Sequence, residues 1–255
     1  MGQVLKLNTN KGFTLIELSI VIVIIGLIVA GVVGGQTIVR QAKVRAVITD
    51  YNNVKVALNA FKLEYDAIPG DFNRAQAYWP AATSGNGNKQ IFHYAQEGAY
   101  AWDHLEYAEL FPGSFTGAAS GPGLEGGVNM PFSSFGGNVA MHFGYVGLAS
   151  SCHSAGTSPV FGVIDDINVL YVGTIESASV GCPRDGFLKV SEAHGMDTKI
   201  DDGLADSGFL YSLNTSSSNT DGDRCVDKNA SGTGGANYDF NETGENCRLI
   251  FNMDG

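Results

Sequence analysis

Glu17 is the residue whose position asks for a chemical explanation. It is the single charge in Phe13–Gly35, FTLIELSIVIVIIGLIVAGVVGG, and Leu18–Gly35 carries none. That charge-free stretch is about the length that crosses a bilayer. A carboxylate inside a membrane helix costs roughly 2.5–3.5 kcal/mol on insertion scales, so it needs a purpose. Phe13 lies four residues earlier, one helical turn away on the same face. Cleavage of the Gly12–Phe13 bond would free an amino group there. The new cation would sit at a helix N-terminus, where the macrodipole disfavours positive charge. Glu17, on its own chain or a neighbour's, would neutralise it. One hydrolysis thus accounts for the acid, the glycine before it and the placement of the apolar run.

The element that must carry these residues is a long helix. No proline occurs between Met1 and Ile68. Val44, Val47, Ile48, Tyr51, Val54, Leu58, Phe61 and Tyr65 recur at helical spacing, with Arg45, Asp50, Lys55, Lys62 and Asp66 mainly on other faces. The pattern predicts one helix from Phe13 to about Asp66, stopped by Ile68-Pro69-Gly70-Asp71. Its first half is apolar all round and needs lipid or other helices; Gly31 and Gly35 form a GxxxG spacing. A secretory signal has a shorter apolar region followed by its cleavage site. Here the apolar run is longer, and the small residue precedes it.

Gly12-Phe13-Thr14-Leu15-Ile16-Glu17-Leu18 resembles the processing motif of the prepilin family, the type IV pilins and type II secretion pseudopilins. The short leader Met1–Gly12 with Lys6 and Lys11 is similar to leaders of that family. The resemblance implies cleavage after Gly12 by a prepilin peptidase, N-methylation of Phe13, and use of Glu17 in assembly with other subunits. It implies a structural subunit, a minor pilin or pseudopilin of a type IV pilus or type II secretion filament. The alternative is an adhesin or ligand-binding module displayed on the same stalk. The implied location is the inner membrane, single-pass with the head in the periplasm, and then a filament. Arg40, Lys43 and Arg45 after the apolar run would by charge alone favour the opposite orientation. The family motif and the cysteines decide for an outside head.

The expected fold is α+β and pilin-like: a helical spine on an irregular antiparallel-sheet head. The expected divisions are a leader at 1–12, a membrane or filament-core helix at 13–39, its amphipathic continuation at 40–67 and a head at 68–255. Helices are expected near Ala99–Leu110 and Ser191–Lys199. Strands are expected at Val139–Tyr145, Val160–Ile164, Val169–Ile175, Phe209–Leu213 and Arg248–Phe251. Pro112–Gly147 reads as a long glycine-rich loop system.

Cys152, Cys182, Cys225 and Cys247 form no CxxC pair and lie beyond the membrane segment, so two disulfides are expected. Three connectivities are open, and the sequential one is preferred. Asp197, Asp201 and Asp202, or Asp221, Asp223 and Asp227, would suit calcium, although acidic turns are commonly only solvated. The net charge of -11 speaks against nucleic acid as a partner. Asp103-His104 and Cys152-His153 are adjacent pairs, yet neither makes a nucleophile, base and orienter, so no enzymatic role is expected. Trp79, Trp102 and Phe111 are expected in the core.

Overall fold

A computed structural model describes residues 12–92, 96–117, 124–146, 166–175, 183–214, 224–227 and 237–254. The chain divides into residues Met1–Ala42 and Lys43–Gly255. One helix, α1 (Leu15–Tyr65), enters both.

In the first unit every apolar side chain of α1 from Leu15 to Val39 is exposed, and none of the most apolar window is buried. In the second unit α1 has an inner seam at spacings of three and four: Val44, Val47, Tyr51, Val54, Leu58, Phe61 and Tyr65. All but its two ends are buried. Such spacing keeps one face of a helix against a neighbour. A second seam runs along the other side, through Ala42, Ala46, Thr49, Asn53, Val56, Ala60 and Leu63. A one-sided amphipathic helix would place charges there. Here the positions are uncharged, and Val56 and Leu63 stand 70% and 88% exposed. The same phase continues upstream through Val39, Gly35, Val32 and Ile28 into the apolar half.

The helix ends as its turn chemistry dictates. Asp66 takes a left-handed conformation at φ 50°, and Gly70 follows at φ 89°. A Cβ at Gly70 would fall 2.3 Å from the Glu97 carbonyl oxygen, so only glycine fits.

The head has a four-stranded antiparallel sheet in the order β1-β2-β4-β3, from β1 (Val139–Val146), β2 (Ile167–Thr174), β3 (Leu210–Asn214) and β4 (Cys247–Asn252). Side chains alternate between two apolar clusters. Leu170, Val172, Leu249 and Phe251 join the α1 seam, whereas Val169, Tyr171 and Ile250 join Val146, Tyr211 and Leu213 on the opposite face. Helix α3 (Glu97–Tyr107) presses Trp102 onto Phe143 with ring centroids 4.6 Å apart. A one-turn helix α2 (Ala75–Tyr78), not expected from the sequence, precedes it. Helix α4 (Val190–Ile200) stops at Asp201-Asp202-Gly203 as expected.

The α+β expectation holds, with modest shifts at element ends. The expected strand Val160–Ile164 lies outside the described residues. The glycine-rich stretch ends in β1, and its residues 118–123 lie outside the description. Trp102 is fully buried, whereas Trp79 and Phe111 are only half-buried. Asp50 departs from the expected polar face. It is buried, and its carboxylate accepts bonds from the Ser133 hydroxyl and from the Ser134 amide and hydroxyl, each at 2.7 Å. That set of donors satisfies a charge the core would otherwise reject.

Candidate processing and assembly site

Gly12 and Phe13 are exposed, immediately before the first turn of α1. Among the described residues, no atom lies within 4 Å of a Cβ built on Gly12. Thr14 and Glu17 form a reciprocal cap. The Glu17 Oε2 accepts the Thr14 amide at 2.8 Å and the Thr14 hydroxyl at 2.7 Å. The Thr14 Oγ1 in turn accepts the Glu17 amide at 3.3 Å. This is the capping box, and it satisfies two of the amides a helix start leaves unpaired. Its sequence signal is Thr14-x-x-Glu17, which the reading of Glu17 as a counter-charge does not use. Both accepted bonds end on Oε2.

Residues 7–33 match the family model for the prokaryotic N-terminal methylation motif. The chain carries a prepilin signature. No curated protein and no solved structure matches it. The prepilin signature supports a type IV pilin or pseudopilin subunit, with processing by prepilin peptidase and assembly with other pilin subunits as its implications. Together with one long apolar helix near the N-terminus, it fits an inner-membrane-anchored protein. The prepilin signature also points to a structural subunit rather than to catalysis.

The other expected site residues fall in the head. Cys225 and Cys247 form a disulfide, pinning the 224–227 segment to the start of β4. At a sequence separation of 22, the bond contributes roughly 3 kcal/mol in the chain-entropy view. Cys152 and Cys182 lie outside the described residues, as do His153, Asp221 and Asp223; Asp227 is described, but its cluster is not.

Asp197, Asp201 and Asp202 do converge, with one oxygen of each inside a 4.8 Å set. Their oxygens are already engaged in closing the loop after α4. Asp197 accepts the Gly203 amide at 3.1 Å and the Tyr238 hydroxyl at 2.7 Å. Asp201 accepts the Phe209 and Leu210 amides at 2.6 and 2.8 Å. Asp202 accepts the Leu204 amide at 2.9 Å and the Ser207 hydroxyl at 2.5 Å. Gly208 must be glycine, because a Cβ would land 2.1 Å from the Asp201 carboxylate. A cation here would compete with six donors. Burial pushes Asp197 up to about 6, with smaller contributions from Asp201 and Asp202.

Asp103 and His104 are separate structural groups. Burial raises Asp103 to about 6 and lowers His104 to about 4. The His104 Nδ1 accepts the Gly70 amide at 2.9 Å, while Nε2 lies 2.8 Å from the Thr83 carbonyl. The neutral ring protonated on Nε2 satisfies both contacts. His104 thus pins the turn after α1 to the loop at Thr83.

Proposed function

We propose that this chain is a minor pilin or pseudopilin-like subunit of a type IV pilus or type II secretion filament. It is cut after Gly12, methylated on Phe13, and held in the inner membrane by the first half of α1 with the head in the periplasm. The observation that carries the reading is the exposed apolar first half of α1, Leu15–Val39, beginning directly behind the exposed Gly12 and Phe13. Such a surface has no place in water. Lipid covers it before assembly, and neighbouring helices cover it afterwards. The uncharged outer seam from Ala42 to Leu63 gives the head half of α1 a face suited to a helix as well.

Mass spectrometry of the membrane fraction tests processing. The expected N-terminal peptide starts at Phe13 and carries one methyl group on its amine. A membrane protein that still starts at Met1 would refute the proposal.

A further inference from the structure

A row of partly exposed rings lies at the head end of α1. Tyr107 and Trp79 are stacked at 5.8 Å between centroids, Trp79 lies 5.2 Å from Tyr65, and Tyr65 lies 5.4 Å from Tyr78. Tyr78 is 52% exposed and Tyr107 36%. The buried rings of Phe61, Phe72 and His104 support the row from below. Four aromatic residues brought from α1, α2 and α3 to one surface are more than scattered apolar exposure.

Beside the row is a cleft of about 430 Å³, lined by Lys62, Asp66, Phe72, Asn73, Arg74 and Lys89 among others. Phe72 belongs to both features: its ring lies 5.4 Å from Tyr78, and the Arg74 guanidinium sits 5.7 Å over it. Three cationic residues thus line one cleft in a chain of net charge -11. Among the described residues, none of the three forms an ion pair. Arg74 rests on a ring, and Lys62 donates to the Met253 carbonyl at 3.4 Å. The backbone of Lys89 is fixed by its amide bond to Asp71 at 2.7 Å. Asp71 also lines the cleft, but its carboxylate is occupied by the amides of Gly87, Asn88 and Lys89. Asp66 is the one exposed acid at the rim.

We propose that this surface binds an acidic saccharide. Aromatic faces pack against the C–H faces of pyranose rings. Asn73 and Asp66 are suited to hydroxyl groups, and the three cations to a carboxylate on the sugar. A plain anion site would not need the row of rings. A neutral-sugar site would not gather unpaired cations in so acidic a head. The inference does not depend on whether the chain polymerises.

Isothermal titration tests it on the full chain in a polyoxyethylene detergent, which has no sugar head group to compete. The probes are trigalacturonate, maltotriose and inorganic phosphate. Trigalacturonate is expected to bind saturably, and maltotriose about tenfold more weakly for want of its carboxylates. Phosphate at the same concentrations is expected not to displace it. Arg74→Gln and Tyr78→Ala should each weaken trigalacturonate by about tenfold, with the unfolding midpoint unchanged. Arg74 is exposed, so its variant decides the matter should Tyr78→Ala disturb the fold. The proposal is overturned by absence of saturable trigalacturonate binding, by unchanged affinity in Arg74→Gln, or by equal displacement with phosphate.

Discussion

The two halves of α1 share one backbone and one side-chain phase, yet they solve opposite problems. From Val44 to Tyr65 the helix brings an apolar seam to a head that buries it. From Leu15 to Val39 it offers exposed apolar side chains on every face. The head half is stabilised by folding. In the proposed function, the first half gains comparable burial from lipid or from other chains. Conformational stability and assembly are therefore separable properties of a single helix, and substitutions can address one without the other.

Glu17 gives the largest expected effect. Glu17→Gln keeps the Thr-x-x-Gln form of the capping box, so the helix start survives. It removes the charge that would meet the amino group of Phe13. Filaments sheared from cells should fall to background while processed subunit accumulates in the membrane. Wild-type filament yield from Glu17→Gln would show that the cap, rather than the charge, is what assembly requires.

Next in size is a pair of deletions placed on either side of the comparison. Phe61 is fully buried against Phe72, Tyr65 and Trp79. Phe61→Ala should cost the head about 3–5 kcal/mol. Ile24 lies in the exposed half of α1. Ile24→Ala should leave head unfolding within about 0.5 kcal/mol of wild type. Urea unfolding followed by the fluorescence of Trp79 and Trp102 reads both. A large loss from Ile24→Ala would mean that the apolar half contributes to the head's own stability.

What could be read in the sequence was what repeats locally. The helix, its stop at Pro69-Gly70, the end of α4 and the cleavage motif all follow from spacing within a few residues. The Cys225–Cys247 pairing was a preference among three connectivities, and the structure forms it. Asp50 was misjudged because its partners, Ser133 and Ser134, lie more than eighty residues away. No local pattern can announce a carboxylate satisfied from another part of the chain. The aromatic row was missed for the same reason, since Tyr65, Trp79 and Tyr107 meet only in the folded head. The outer seam of α1 was legible in principle. It is a run of uncharged residues where charges were expected, and with only Val56 and Leu63 strongly apolar it stands out less than the buried face.

The smallest expected effect comes from pH, because opposed contributions nearly offset each other in the head. Burial lifts Asp103 and Asp197 from 3.8 to about 6. Between about pH 4 and 6 the folded state therefore holds protons that the unfolded chain has released, and stability falls as pH rises. Glu97 is also raised by burial. His104 works the other way, since burial lowers it from 6.5 to about 4. Between those values the unfolded chain holds the extra proton, so this contribution to stability grows as pH rises and is complete above about 6.5. The raised carboxylates outweigh the histidine, and a shallow fall is expected for wild type between pH 4 and 6. Asp103→Asn combined with Asp197→Asn should remove most of the fall, leaving the rise from His104 opposed by Glu97 alone across the same window. Urea midpoints at three pH values in that range would measure it. A fall in the double variant as steep as in wild type would mean that neither aspartate carries the proton held by the folded head.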